Sequence, residues 1–184
     1  MMKNLNVRYP KQLLSALILS FLFLSSCSES PEKFFDITVL NTNTINDFAS
    51  PDLARHIADE AREFPDIPSS KKKGNEAVTK INYQIQYLDQ ALAKIKKLSA
   101  SGDEQKEIQK LSTELFEYVI PVYKNEYLSY AKLCDAQAAQ SAKDEIIQSI
   151  DAKYGAAFEQ KHNALMEKGK AYASEHNIQV SWGQ

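Results

Sequence analysis

Cysteine, glycine and histidine are all scarce in this chain, with two, five and three copies in 184 residues. So few glycines, in no repeat, argue against a sandwich or barrel built on tight turns. Two of the histidines, His162 and His176, fall on one expected helix, about 21 Å apart along its axis, too far to share an ion. The HExxH spacing of helical metal sites is absent, and ExxH, which di-metal bundles use in pairs, occurs once, at Glu159–His162. So is the CxxCH that would attach a c-type haem to a helical bundle. No serine has the strand–turn–helix setting of a nucleophile elbow, and no acid pair has a pocket's worth of sequence around it. The residues imply no metal, no cofactor and no enzyme.

Long apolar runs are missing as well, apart from one near the start. Leu13 to Leu24 (LLSALILSFLFL) is apolar except for its serines, which is short of the about 20 residues that span a bilayer. Lys3, Arg8 and Lys11 precede it and small residues Ser25 and Ser26 follow, the three parts of a secretory leader. Leu24-Ser25-Ser26-Cys27 resembles the lipobox of bacterial lipoproteins. That resemblance implies cleavage before Cys27, lipidation of its thiol, and a membrane anchor made by two or three acyl chains. Residues 1–26 are then a signal peptide and residues 27–49 a lipidated N-terminus and tether. Residues 50–184 form the folded domain. Ser28, where some Gram-negative sorting rules place aspartate for inner-membrane retention, leans the expected site toward the outer membrane of the cell envelope.

Removing the leader takes three basic residues from 22 and none from the 24 acids, so the charge moves from −2 to −5. An acidic chain disfavours a nucleic-acid partner, which needs a basic face for phosphates. Lys71-Lys72-Lys73 is the only basic cluster and reads as a solvated linker. Lipidation of Cys27 leaves Cys134 alone, so no intramolecular disulfide can form and the fold rests on its apolar core.

Helical periodicity dominates what remains. Phe34–Leu40 (FFDITVL) is β-prone, and NTNTIND after it reads as loop. Ser50-Pro51-Asp52 is a helix start, with an N-cap serine, proline at the first position and an acid in the first turn. Leu53, Ile57 and Phe64 share a face of that short amphipathic helix, which Pro65 and Pro68 end. A second helix runs from about residue 75 to 100. Val78, Ile81, Ile85, Leu88, Leu92 and Ile95 give it a heptad seam. In the turn SASGD, Gly102 suits the left-handed conformation and Asp103 a cap, which makes the next helix an antiparallel neighbour. That helix runs to about residue 139 with Pro121 inside its apolar pattern, either kinked or broken there. A fourth, capped by Ser141, carries Ile147, Ile150, Tyr154, Phe158, Leu165 and Tyr172 to about His176. Ile178–Trp182 alternates like a short strand and could pair with FFDITVL. The fold expected is all-α: an antiparallel bundle of three long helices plus one shorter N-terminal amphipathic helix.

Tyrosines are the distinctive side chains. Tyr123, Tyr127 and Tyr130 recur at i, i+4 and i+7, while Tyr83 and Tyr87 lie four apart, away from the heptad seam. They either cover the bundle beneath the first helix or form a binding surface, since tyrosine is enriched in interface hot spots. Cys134, deep in a helix beside Asp135, suits a small buried residue better than a nucleophile. The lipobox and helical layout, including the Tyr-rich third helix, also resemble small, uncharacterised helical surface lipoproteins. The resulting expectation is a protein-interaction or scaffolding module for an envelope partner. A small-ligand-binding bundle with a cavity near Pro121, lined by Tyr123 and Tyr154, is the alternative; the heptads leave homo-oligomerisation open. Cys27→Ser should release the domain into the soluble fraction or leave the precursor uncleaved, read by fractionation and intact mass. A variant processed and anchored like the parent refutes the lipobox reading.

Overall fold

Ser30-Pro31-Glu32 repeats the start signal of Ser50-Pro51-Asp52, and both begin helices in the computed structural model, which describes residues 29–182. The leader and Cys27 lie outside the described residues. The Ser30 hydroxyl accepts from the Lys33 amide at 3.3 Å and opens α1 (Pro31–Thr38). The stretch FFDITVL is therefore helix, not strand. A good cap immediately upstream outweighs its β-branched composition, and Thr38 settles its hydroxyl on the Phe34 carbonyl at 2.8 Å. A 3-10 segment (Leu40–Ile45) follows, then α2 (Pro51–Glu60), capped by Ser50 on the Leu53 amide.

The expected tether is consequently too long. Phe34, Phe35, Val39, Ile45 and Phe48 are buried core residues, so the fold begins at residue 31 rather than 50. Ile178–Trp182 is not a strand either, and no strand forms among the described residues. The two chain ends do meet, through Phe35 and Trp182, whose rings stand edge to face with centroids 5.9 Å apart.

Three long helical rods make the body of an all-α bundle. The first, α3 (Glu76–Lys97), packs on α4 (Asp103–Val122) and α5 (Leu128–Asp135). A π-helical turn (Tyr123–Tyr127) joins α4 to α5 without a break, giving a rod of about 50 Å. Pro121 thus neither breaks the helix nor lies in its core. Pro121 and Glu117, whose carbonyl it leaves without its usual donor, are both solvent-exposed. The third rod is α6 (Gln140–Ile150), a second π turn (Asp151–Gly155) and α7 (Ala156–Glu175), which packs on α4. Ser141 does not cap it; the preceding turn places Gln137 at φ +50° and Ala139 at the cap.

Gly102 takes φ +113°, as the turn requires, but Asp103 does not cap. The Gln105 side chain instead accepts the Ser101 amide at 2.8 Å. On α3 the most buried stripe is Ala77, Ile81, Leu88, Ala91 and Ile95, with Val78, Ile85 and Leu92 only partly covered. The seam is shifted toward its alanines because α1 and α2 also pack on α3. The N-terminus of α3 is finished from afar, by the Asp135 carboxylate on the amides of Ala77 and Val78, both at 3.0 Å.

Val39 lies against Gly169 of α7. A Cβ at Gly169 would fall 2.7 Å from Val39 Cγ1 and 3.1 Å from Cγ2. Alanine gains about 1 kcal/mol of helix propensity over glycine, whereas overpacking a core costs about 1–3 kcal/mol. Val39 is stiff at χ1 and fully buried, so the second effect wins. Gly169→Ala should lower unfolding free energy by up to about 2 kcal/mol in chemical denaturation.

Candidate functional site

The tyrosine stripe of the third rod is interior. Tyr123, Tyr127 and Tyr130 are between 0% and 4% exposed, so they do not form a binding surface. Tyr127 accepts the Ala49 amide at 2.9 Å, and Tyr130 donates to the Ala54 carbonyl at 3.2 Å. Their rings form the floor on which the residue 46–60 segment docks, with phenols there because that segment presents backbone groups needing partners. Phe48 plugs the centre, with centroids 6.0 Å from Tyr123, 5.9 Å from Tyr127 and 4.8 Å from Phe158.

Tyr83 and Tyr87 are the opposite case. They are 68% and 44% exposed on the outer face of α3. Tyr87 donates to Asn41 Oδ1 at 2.8 Å, while no hydrogen bond of Tyr83 is seen among the described residues. Asn82, Gln86 and Gln90 are exposed around them, giving a face of phenols and amides on an otherwise charged surface.

Among the described residues, Tyr123 alone of the stripe lacks a hydrogen bond. Its hydroxyl is buried without a partner, an arrangement that costs about 1–3 kcal/mol. It lines a cavity of about 230 Å³ between the 3-10 segment, α2 and α3. Leu53, Ile57 and Ile81 make its apolar wall; Thr44, Asp47, His56, Lys80 and Gln84 supply polar groups. Gln84 donates to the Thr44 carbonyl at 2.9 Å, bracing the 3-10 segment against α3. Lys80 is paired with Glu60 at 3.2 Å, and His56 Nδ1 stands 3.7 Å from Asp47 Oδ2. No family model, curated protein or solved structure matches the chain.

Of the two residues expected to line a cavity near Pro121, Tyr123 does and Tyr154 does not; the cavity opens on the α2–α3 side. Tyr154 instead gives its carbonyl to the Tyr118 hydroxyl at 3.2 Å. Gln84 falls in register with the buried stripe of Ala77, Ile81, Leu88, Ala91 and Ile95, but the seam read from the sequence passes through Ile85, so Gln84 gave no signal there. Asp47, in a segment that reads as plain loop, gave none either.

Cys134 is buried, and burial pushes its thiol up, with Asp135 adding to the effect. It therefore lacks the stabilised thiolate of a nucleophile. The histidines are dispersed: His56 at the cavity, His162 stacked on Phe158, and His176 at the end of α7. Among the described residues no group of His, Cys, Asp or Glu is arranged to hold a metal ion, and no helix is long and apolar enough to cross a membrane.

Burial drives the phenols of Tyr123, Tyr127 and Tyr130 well above their ordinary range near 10. Their folded pKa values are raised, so the stability they contribute is whole below about pH 10 and is lost as pH rises beyond it. Helical content should collapse in alkali together with the appearance of phenolate absorbance. Tyr127→Phe should cost about 1 kcal/mol at pH 7 by leaving the Ala49 amide unpaired, and should weaken the alkaline loss. An unchanged pH profile would remove Tyr127 from this account.

Proposed function

We propose that this protein is a lipid-anchored component of the cell envelope, held by Cys27, that acts by binding and not by catalysis. An outer-membrane location in a Gram-negative host is the reading favoured by Ser28. The observation that carries the binding reading is the exposed phenol-and-amide face of α3 centred on Tyr83 and Tyr87. Tyrosine gives a large contact area for little conformational entropy, and uncharged amides are cheaper to desolvate than lysine or glutamate. The occupant that fits is a folded envelope protein with a similarly uncharged surface. A scaffolding role follows, in which the anchor sets the membrane and α3 sets the partner. A second copy of this chain could use the same face.

Small-ligand binding is a separate reading, and the cavity over Tyr123 favours it. The two are distinct in space, since neither Tyr83 nor Tyr87 lines that cavity.

Tyr83→Ala combined with Tyr87→Ala tests the docking face. Both side chains are exposed and only the Tyr87 bond to Asn41 is lost, so stability should fall by no more than about 1.5 kcal/mol. Crosslinking in the native cell should then lose a partner that the parent protein captures, while membrane fractionation is unchanged. An identical set of crosslinks from the double variant overturns the docking face. A mass measurement on the purified protein separates a second copy from a different protein.

A further inference from the structure

We propose that the cavity between the 3-10 segment, α2 and α3 binds a small organic ammonium ion, an amine carried on a short apolar body. This goes beyond the docking face and uses none of its residues. Three features of the cavity specify the ligand.

Size comes first. At about 230 Å³ the space is smaller than the ~300–1,000 Å³ of sites for drug-sized molecules. It admits a fragment-sized compound, not a peptide or a lipid chain.

The wall comes next. Leu53, Ile57 and Ile81 present only hydrocarbon to the interior, and all three are among the buried core residues. An occupant gains by placing apolar atoms there, which water cannot do.

Charge then sets the head group. Asp47 is the only acid lining the cavity. Its one ionic neighbour among the described residues is His56 Nδ1 at 3.7 Å, longer than a hydrogen bond and charged only if protonated. Lys80, the lining cation, is already held by Glu60 at 3.2 Å, which leaves it poorly placed to attract an anion. The carboxylate is therefore the charge open to a ligand, and an ammonium group answers it with charge-assisted hydrogen bonds. Tyr123 contributes the remaining polar contact. Its buried hydroxyl has no partner among the described residues and can accept from the same ammonium. A ligand that supplies this bond removes a defect that the empty fold carries.

Three matched probes test the proposal on the full-length chain in mild detergent: benzylamine, benzyl alcohol and benzoate. Methyl NMR signals of Ile57 and Ile81, on the cavity wall, report occupancy. Benzylamine should shift them saturably, with the alcohol and the carboxylate at least about tenfold weaker. Asp47→Asn should abolish the preference for the amine. Tyr123→Phe should weaken benzylamine about tenfold, yet raise the melting temperature of the unliganded protein by removing an unsatisfied polar atom. Tyr123→Phe keeps the ring and so tests the site even if Asp47→Asn fails to fold. Equal binding of the three probes, preference for benzoate, or no response from either isoleucine would overturn the proposal. The last result is the one expected of a cavity that holds only water. None of these outcomes bears on crosslinking through Tyr83 and Tyr87, so the two readings fail separately.

Discussion

Phe48 sits where two of the three long rods depart from α-helical geometry, and the arrangement of the molecule's N-terminal third depends on that seat. Its ring packs against Tyr123 and Tyr127 in one π turn and against Phe158, just beyond the other. A π turn carries an extra residue and is wider than its neighbours. Two of them in adjacent rods bring the residue 46–50 segment into the bundle. Ala49 pays for the entry with φ +59°, a strained conformation for a residue with a side chain. The Tyr127 hydroxyl on its amide and the close approach of Gly155 hold it there; a Cβ at that glycine would lie 3.8 Å from the Ala49 Cβ.

Everything upstream of that point is aligned by it. With residues 46–50 fixed, the 3-10 segment lies across α3, where Gln84 takes the Thr44 carbonyl, and α1 reaches α3, α4 and α7. The cavity over Tyr123 lies beside the same seat, between the 3-10 segment, α2 and α3. The strained backbone at Ala49 and the unpartnered hydroxyl of Tyr123 thus both adjoin the seat of Phe48. Departures from ideal geometry that cluster in this way are typical of sites that do something.

Much of the architecture was legible because helical signals are local. The Ser50-Pro51-Asp52 cap, the turn at Gly102 and the heptads of α3 each act within a few residues. The β-prone composition of FFDITVL misled because propensity is a weak force next to a cap and a core, and Ser30-Pro31-Glu32 was the stronger signal. The tyrosine stripe could not be assigned to core or surface from spacing alone. A phenol tolerates both, and the deciding fact was a segment from elsewhere in the chain needing its backbone satisfied. The cavity was illegible for a deeper reason. Its lining comes from residues 44–57, α3 and one π turn, which no local spacing brings together.

The early start of α1 bears on how the molecule would sit on a membrane. Three residues separate Cys27 from Pro31, four steps along the chain, and an extended chain covers at most about 3.6 Å per step. Under the proposed lipidation the folded body could rise no more than roughly 14 Å above its acylated cysteine. Such a leash leaves little freedom to tumble, so the surface near α1 would stay turned to the lipid headgroups. Mechanical load on the anchor would also pass straight into a helix docked on three others, pulling on the core before any slack is taken up.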